Sequence, residues 1–103
     1  MNFSFNQKIF KYISTDPVFV SRSNITFIYR RIGGQSSLGF ILPRSLGTAC
    51  KRNKFKRLCR EAFLSISKKN SILPVGLIVK PKHLNHNFNQ ILKTFIALDL
   101  QKK

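Results

Sequence analysis

Acidic residues are nearly missing from this chain. Asp16, Glu61 and Asp99 are its only carboxylates among 103 residues. Phosphodiester hydrolysis by bound magnesium needs clustered carboxylates to hold one or two ions, and these three stand far apart without paired spacing. Histidine is as scarce: His83 and His86 form a lone H-x-x-H on a polar stretch beside Pro81, which reads as solvated loop and not as a metal site. No Gly-rich phosphate loop or nucleophile elbow is present. The two cysteines, Cys50 and Cys59, give neither a disulfide framework nor metal-ligand spacing. Cys59 falls at a core position, and the expected compartment is the reducing cytoplasm. No apolar run approaches the roughly 20 residues of a membrane span. The first residues lack an apolar centre with a cleavage site, so no secretory segment is expected. The polypeptide alone has little with which to catalyse a reaction.

What is there is positive charge. Nineteen Lys and Arg against three acids give a net charge of +16. Like charges at that density oppose a compact state, and a polyanion relieves them, nucleic acid being the usual one. The 43% hydrophobic content, with ten Phe, is enough for a packed core, and the length suits a single domain over residues 1–103.

The charge is concentrated where a helix is expected. In Lys51-Arg52-Asn53-Lys54-Phe55-Lys56-Arg57-Leu58-Cys59-Arg60, six of ten residues are basic. Apolar side chains interrupt them at helical spacing: Phe55, Leu58, Cys59, Ala62, Phe63 and Ile66 form one stripe. The opposite arc holds Arg52, Asn53, Lys54, Lys56, Arg57, Arg60 and the single acid Glu61. A solvated helix face normally mixes signs; this one is suited to lie on a polyanion. Asn53 is the one residue among the cations able to read a base, and no heptad seam is present for a dimer, so RNA is favoured over the DNA major groove.

The remaining elements follow from periodicity and punctuation. Residues Phe3 to Ile13 suit a short helix ended by Ser14-Thr15-Asp16-Pro17. Phe19 to Arg22 and the alternating stretch Asn24 to Ile32 suit strands. Gly33-Gly34 suits a tight hairpin into a strand from Ser37 to Leu42, which Pro43 stops. Thr48 is placed to cap the basic helix, which should run to Lys68 or Lys69. The continuous apolar run Val75 to Val79 suits a strand covered on both faces. A last helix begins at Asn87, with Gln90 completing a capping box and Phe88, Ile91, Leu92, Phe95 and Ile96 as its stripe. The order α-β-β-β-α-β-α predicts one α+β domain, a small sheet packed by helices on one face.

The segment Leu38-Gly39-Phe40 through Gly47-Thr48-Ala49-Cys50-Lys51-Arg52-Asn53-Lys54 to Arg60-Glu61-Ala62-Phe63 closely resembles the signature of the bacterial ribonuclease P protein subunit. There, a strand ending in a basic pair leads through Gly to an Arg-Asn-Arg helix, then Lys-Arg and Arg-Glu-Ala-Phe. The resemblance implies a compact α/β sandwich with a mixed sheet and a left-handed β-α-β crossover, against the usual hand. It implies the protein cofactor of a catalytic RNA that removes the 5′ leader from precursor tRNA. Magnesium would be bound mainly by that RNA, and no protein partner would be required. RNA contacts would fall on Arg44, Lys51, Arg52, Asn53, Lys54, Lys56, Arg57 and Arg60. A leader-binding cleft between the first helix and the sheet would use Phe10 and Tyr29. Three departures stand out. Lys54 replaces the second Arg of Arg-Asn-Arg, keeping charge but losing bidentate phosphate geometry. Pro43-Arg44-Ser45 replaces a Ser-Lys-Lys-like run. Asn6 sits where the family often has Phe, with Phe5 or Phe3 compensating from a shifted register. The alternative class is a ribosomal or chaperone-like RNA-binding protein with no part in cleavage.

Overall fold

The structure, a computed structural model, describes residues 5–22, 24–70 and 75–98. Its elements are α1 (Gln7–Thr15), β1 (Val18–Arg22), β2 (Ile25–Arg31), β3 (Ser37–Phe40), a single 3-10 turn (Arg44–Leu46), α2 (Ala49–Asn70), β4 (Val75–Pro81) and α3 (Phe88–Ala97). The four strands form one mixed sheet in the order β1-β2-β4-β3, with β1–β2 and β2–β4 antiparallel and β3–β4 parallel.

That order overturns the expected hairpin between β2 and β3. Gly33-Gly34 follows β2 and Gly34 takes a positive φ of 80°, but the chain then passes to the far side of β4 instead of folding back on β2. The cause lies in β4. Val75, Gly76, Leu77, Ile78 and Val79 are all buried, so the strand needs neighbours on both edges as well as cover on both faces. The tight hairpin is instead β1–β2, where Asn24 supplies the left-handed residue at φ 65°, a conformation Asn tolerates better than most. Residues 41–74, with α2 among them, connect β3 to the adjacent parallel strand β4.

Helices cover both faces, not the one that was expected. Alternation along β2 and β4 puts Ile25, Phe27, Val75, Leu77 and Val79 on one side. There they form the main core with Phe55, Cys59, Ala62, Phe63 and Ile66 of α2 and Ile91 and Phe95 of α3. Edge-on rings tie it together: Phe27 and Phe95 have centroids 5.3 Å apart. On the opposite side lies α1. A Cβ on Gly76 would sit 2.7 Å from Cδ1 of Ile13, and one on Gly39 would sit 2.6 Å from the Phe5 ring, so glycine at these two strand positions is what lets α1 approach the sheet. Burial of Ile13 and Ile78, outside the main core, marks this second, smaller apolar layer.

The ends of α1 explain Asn6. Its Oδ1 accepts a hydrogen bond from Ile9 N at 2.9 Å, making Asn6 the N-cap, and α1 starts later than the expected Phe3. Phe5, packed at Gly39, takes the apolar role; Phe3 lies outside the described residues. At the other end Arg30 donates to Tyr12 O at 3.0 Å, satisfying one of the carbonyls a helix leaves open, and its guanidinium lies 4.0 Å from the Tyr12 ring centroid. In α3 the expected capping box is present, with Asn87 Oδ1 accepting from Gln90 N at 2.8 Å and Gln90 Oε1 accepting from Asn87 N at 2.9 Å. Its stripe differs by one residue: Ile96 is exposed, and Thr94 is buried instead, its hydroxyl satisfied by Gln90 O at 2.7 Å.

Candidate nucleic-acid interface

Thr48 starts the basic helix as its sequence position suggests. Its Oγ1 accepts from Lys51 N at 3.2 Å and its carbonyl from Arg52 N at 3.0 Å. The apolar stripe then fixes the rotation of α2: Phe55, Cys59, Ala62, Phe63 and Ile66 are buried and Leu58 is half-buried. Burial pushes the Cys59 thiol well above its ordinary range, against a smaller opposing pull from Arg60, so this cysteine is an inert core group.

With the rotation fixed, the cations sort into three rows. Arg52, Lys56 and Arg60, four residues apart, run along the flank facing β3. The Arg60 guanidinium lies 5.6 Å from the centroid of the Phe40 ring, and Arg52 is half-buried with its Nε shielded from water and without a hydrogen-bond partner among the described residues. Asn53 and Arg57 occupy the exposed crest. Lys51 and Lys54 line the other flank, toward the segment before α3. Arg44 is exposed on the 3-10 turn that precedes the helix. The crest and both flanks of α2 thus carry the expected RNA contacts of the helix itself, with Glu61, also exposed, as the one acid of the helix. Removing Arg57 by alanine substitution is expected to make the slope of log affinity against log salt shallower by up to about 0.9 for a polyanionic ligand. Filter binding across a salt series checks this. An unchanged slope would mean that the crest touches no phosphate.

The expected leader cleft is not assembled as the resemblance implied. Tyr29 pairs with Val18 and Leu77, which places it on the same face as Phe27. It is half-buried against the core under α2 and α3. Phe10 stands on α1, on the other side of the sheet, and is 41% exposed. A four-stranded sheet separates the two rings. The residues that share Phe10's side are those of the opposite alternation: Phe19, Thr26, Ile28, Arg30 and Lys80. Phe19 is 64% exposed, Lys80 is exposed, and the hydroxyls of Ser21 and Thr26 meet at 3.1 Å. Alternation in β2 already divided these sets; which face α1 covers depends on the order of the strands.

His83 and His86 are not a solvated loop. Their rings stack at 4.5 Å with planes 7° apart, both are half-buried, and His83 Nδ1 accepts from Asn85 N at 3.2 Å. Among the described residues no three His, Cys, Asp or Glu side chains come together where they could hold a metal ion. Burial, then the neighbouring His83, lowers the His86 pKa below its ordinary 6.5, with a hydrogen bond to the His83 backbone opposing. The unfolded chain therefore binds this proton more readily than the fold. Stability should fall as pH drops through about 6.5 toward the lower folded value and level off beneath it. Denaturant midpoints at pH 7.5 and 5.5, for the native chain and for His86→Gln, test this; the pH difference should shrink in the variant.

Known proteins resemble this chain in sequence and in fold. The family model "Ribonuclease P" matches residues 6–102. The ribonuclease P protein component of Chlamydia caviae is 34% identical over 92 residues, which cover 86% of this chain and 65% of that protein, just under two thirds of the relative's length. In fold the chain is similar to the RNase P protein of Staphylococcus aureus, with a TM-score of 0.77, 24% identity and coverage of 96% of this chain and 94% of that one. It is also similar to the RNase P protein of Thermotoga maritima, with a TM-score of 0.73, 21% identity and coverage of 94% and 95%. The match over residues 6–102, the identity to a curated relative and the basic α2 on a shared α+β fold together place this chain in the ribonuclease P protein family.

Proposed function

We propose that this chain is the protein subunit of a ribonucleoprotein endoribonuclease that removes the 5′ leader from precursor tRNA. The observation that carries the reading is the face of α2: a dense arc of Lys and Arg, fixed by a buried stripe, inside the segment that carries the family resemblance. Such a face binds phosphates and leaves the chemistry elsewhere, in keeping with a chain that has three scattered carboxylates. In this reading the catalytic RNA holds the magnesium ions, and α2 lies against that RNA with Arg44, Lys51, Arg52, Asn53, Lys54, Lys56, Arg57 and Arg60 toward its backbone. The single-stranded leader lies across the α1 side of the sheet, where Phe10 and Phe19 offer exposed rings and Arg30 and Lys80 offer charge. Tyr29 supports that strand from the core side. The setting is the reducing cytoplasm, consistent with two free thiols.

Reconstitution tests the proposal. The pure chain, added to a bacterial ribonuclease P RNA and precursor tRNA at low magnesium, should accelerate leader release, while the chain without RNA should release none. Binding of the RNA without acceleration would favour the ribosomal or chaperone-like class.

A further inference from the structure

A groove of about 420 Å³ runs between the first turns of α2 and the segment leading into α3, within the roughly 300–1,000 Å³ typical of small-ligand pockets. Its base is apolar, with half-buried Leu58, Leu84 and Phe88, and Lys51 and Lys54 stand exposed at its edge. We propose that this groove holds one unpaired RNA base, its adjoining phosphate lying on Lys51 and Lys54. The inference deepens the RNA-binding reading above and rests on it, but it names a site off the crest of α2 and off the α1 side of the sheet.

Charge complementarity selects the occupant. The groove opens beside the densest run of cations in a chain of net charge +16, so its ligand carries phosphate. Phosphate alone would be served by the exposed crest and has no use for an apolar recess. A base attached to that phosphate does, because its faces are apolar while its edge requires hydrogen bonds. The groove meets both needs. The Phe88 ring gives a surface on which a base can lie, and His86, stacked on His83, is held against Phe55 in the wall, with centroids 6.1 Å apart. For the edge, the Asn85 side chain is exposed and makes no hydrogen bond within the described residues, so its carboxamide is free to donate and accept. The segment is also fixed in place. Asn85 N is bound to His83 Nδ1, His86 N donates to Leu84 O at 3.0 Å, and Asn87 is locked in the capping box of α3. Little ordering is then left to oppose binding. Gly47 belongs to the same design, since a Cβ there would lie 3.2 Å from Cδ1 of Leu84 and crowd the wall of the groove.

The test uses the full chain, labelled for amide NMR, with a single-stranded RNA tetranucleotide and an abasic tetramer of identical charge. The tetranucleotide should shift the Asn85, His86 and Phe88 amides saturably. The abasic tetramer should bind there five- to a hundredfold more weakly, the loss expected for one stacked base. Asn85→Trp, a change at an exposed position that fills the groove, should abolish these shifts in a folded variant and leave those on the Arg57 crest. Equal shifts from both tetramers, or shifts confined to α1 and the crest, would overturn the proposal. So would shifts of the groove amides on raising protein concentration alone, which would identify a second copy as the occupant. Groove binding without stimulation of cleavage would count against the proposed function and leave the groove standing; stimulation with an empty groove would do the reverse.

Discussion

Phe19→Ala in the reconstituted ribonucleoprotein is expected to weaken precursor tRNA about five- to a hundredfold, while mature tRNA binds as before. Stacking of a base on an aromatic ring contributes roughly 1–3 kcal/mol by alanine substitution, and each ~1.4 kcal/mol is tenfold in affinity. Phe19 is suited to that contact because it is 64% exposed on β1, in register with Ile28, on the side of the sheet where Phe10 and Lys80 lie. Its truncation removes little core packing, so the thermal midpoint should hold. Tyr29→Ala is the counterpart. That ring packs on the core cluster beneath α2 and α3, and its loss should cost roughly 1–3 kcal/mol of stability, as for other packing truncations. Its ratio of precursor to mature affinity should stay unchanged in the folded fraction. If Tyr29→Ala lowers that ratio and Phe19→Ala does not, the leader runs on the other face of the sheet and the assignment is wrong.

The contrast between these two rings shows what the sequence could and could not reveal. The face of α2 was legible because a helix's rotation is settled by its own residues: Phe55, Cys59, Ala62, Phe63 and Ile66 all lie inward. The caps at Thr48 and Asn87 were legible for the same reason, since each acts within one turn. Which side of β2 faces a cleft is a different kind of question. Ile25, Phe27 and Tyr29 read as one side and Thr26, Ile28 and Arg30 as the other, but both sides are partly apolar. The choice between them rests on where α1 lies. The same non-locality hid the strand order. Gly33-Gly34 is a sound local turn signal, and only the need of β4 for two neighbours sends β3 past it. The groove beside Asn85 escaped notice because it is made by residues 51–58 and 84–88 meeting in space.

The charge that was plain from composition has a consequence for folding. At low ionic strength the chain should lose much of its structure, and sulfate should restore it beyond what chloride does at equal ionic strength. With the Debye length near 30 Å at 0.01 M, exposed cations repel one another across the whole molecule, and α2 alone carries eight Lys and Arg against Glu61. Chloride shortens that range. Sulfate does so too, and also binds the native basic face, stabilising the fold by mass action, by about 2.7 kcal/mol at a hundred times its dissociation constant. That is a large share of the 5–15 kcal/mol typical of folded domains. Circular dichroism at 222 nm, titrated with sodium sulfate against sodium chloride, separates the two effects, and Arg57→Ala should reduce only the increment specific to sulfate. A spectrum fully folded in low-salt buffer and indifferent to both salts would show that the layers around Phe27, Phe63 and Phe95 withstand the repulsion unaided.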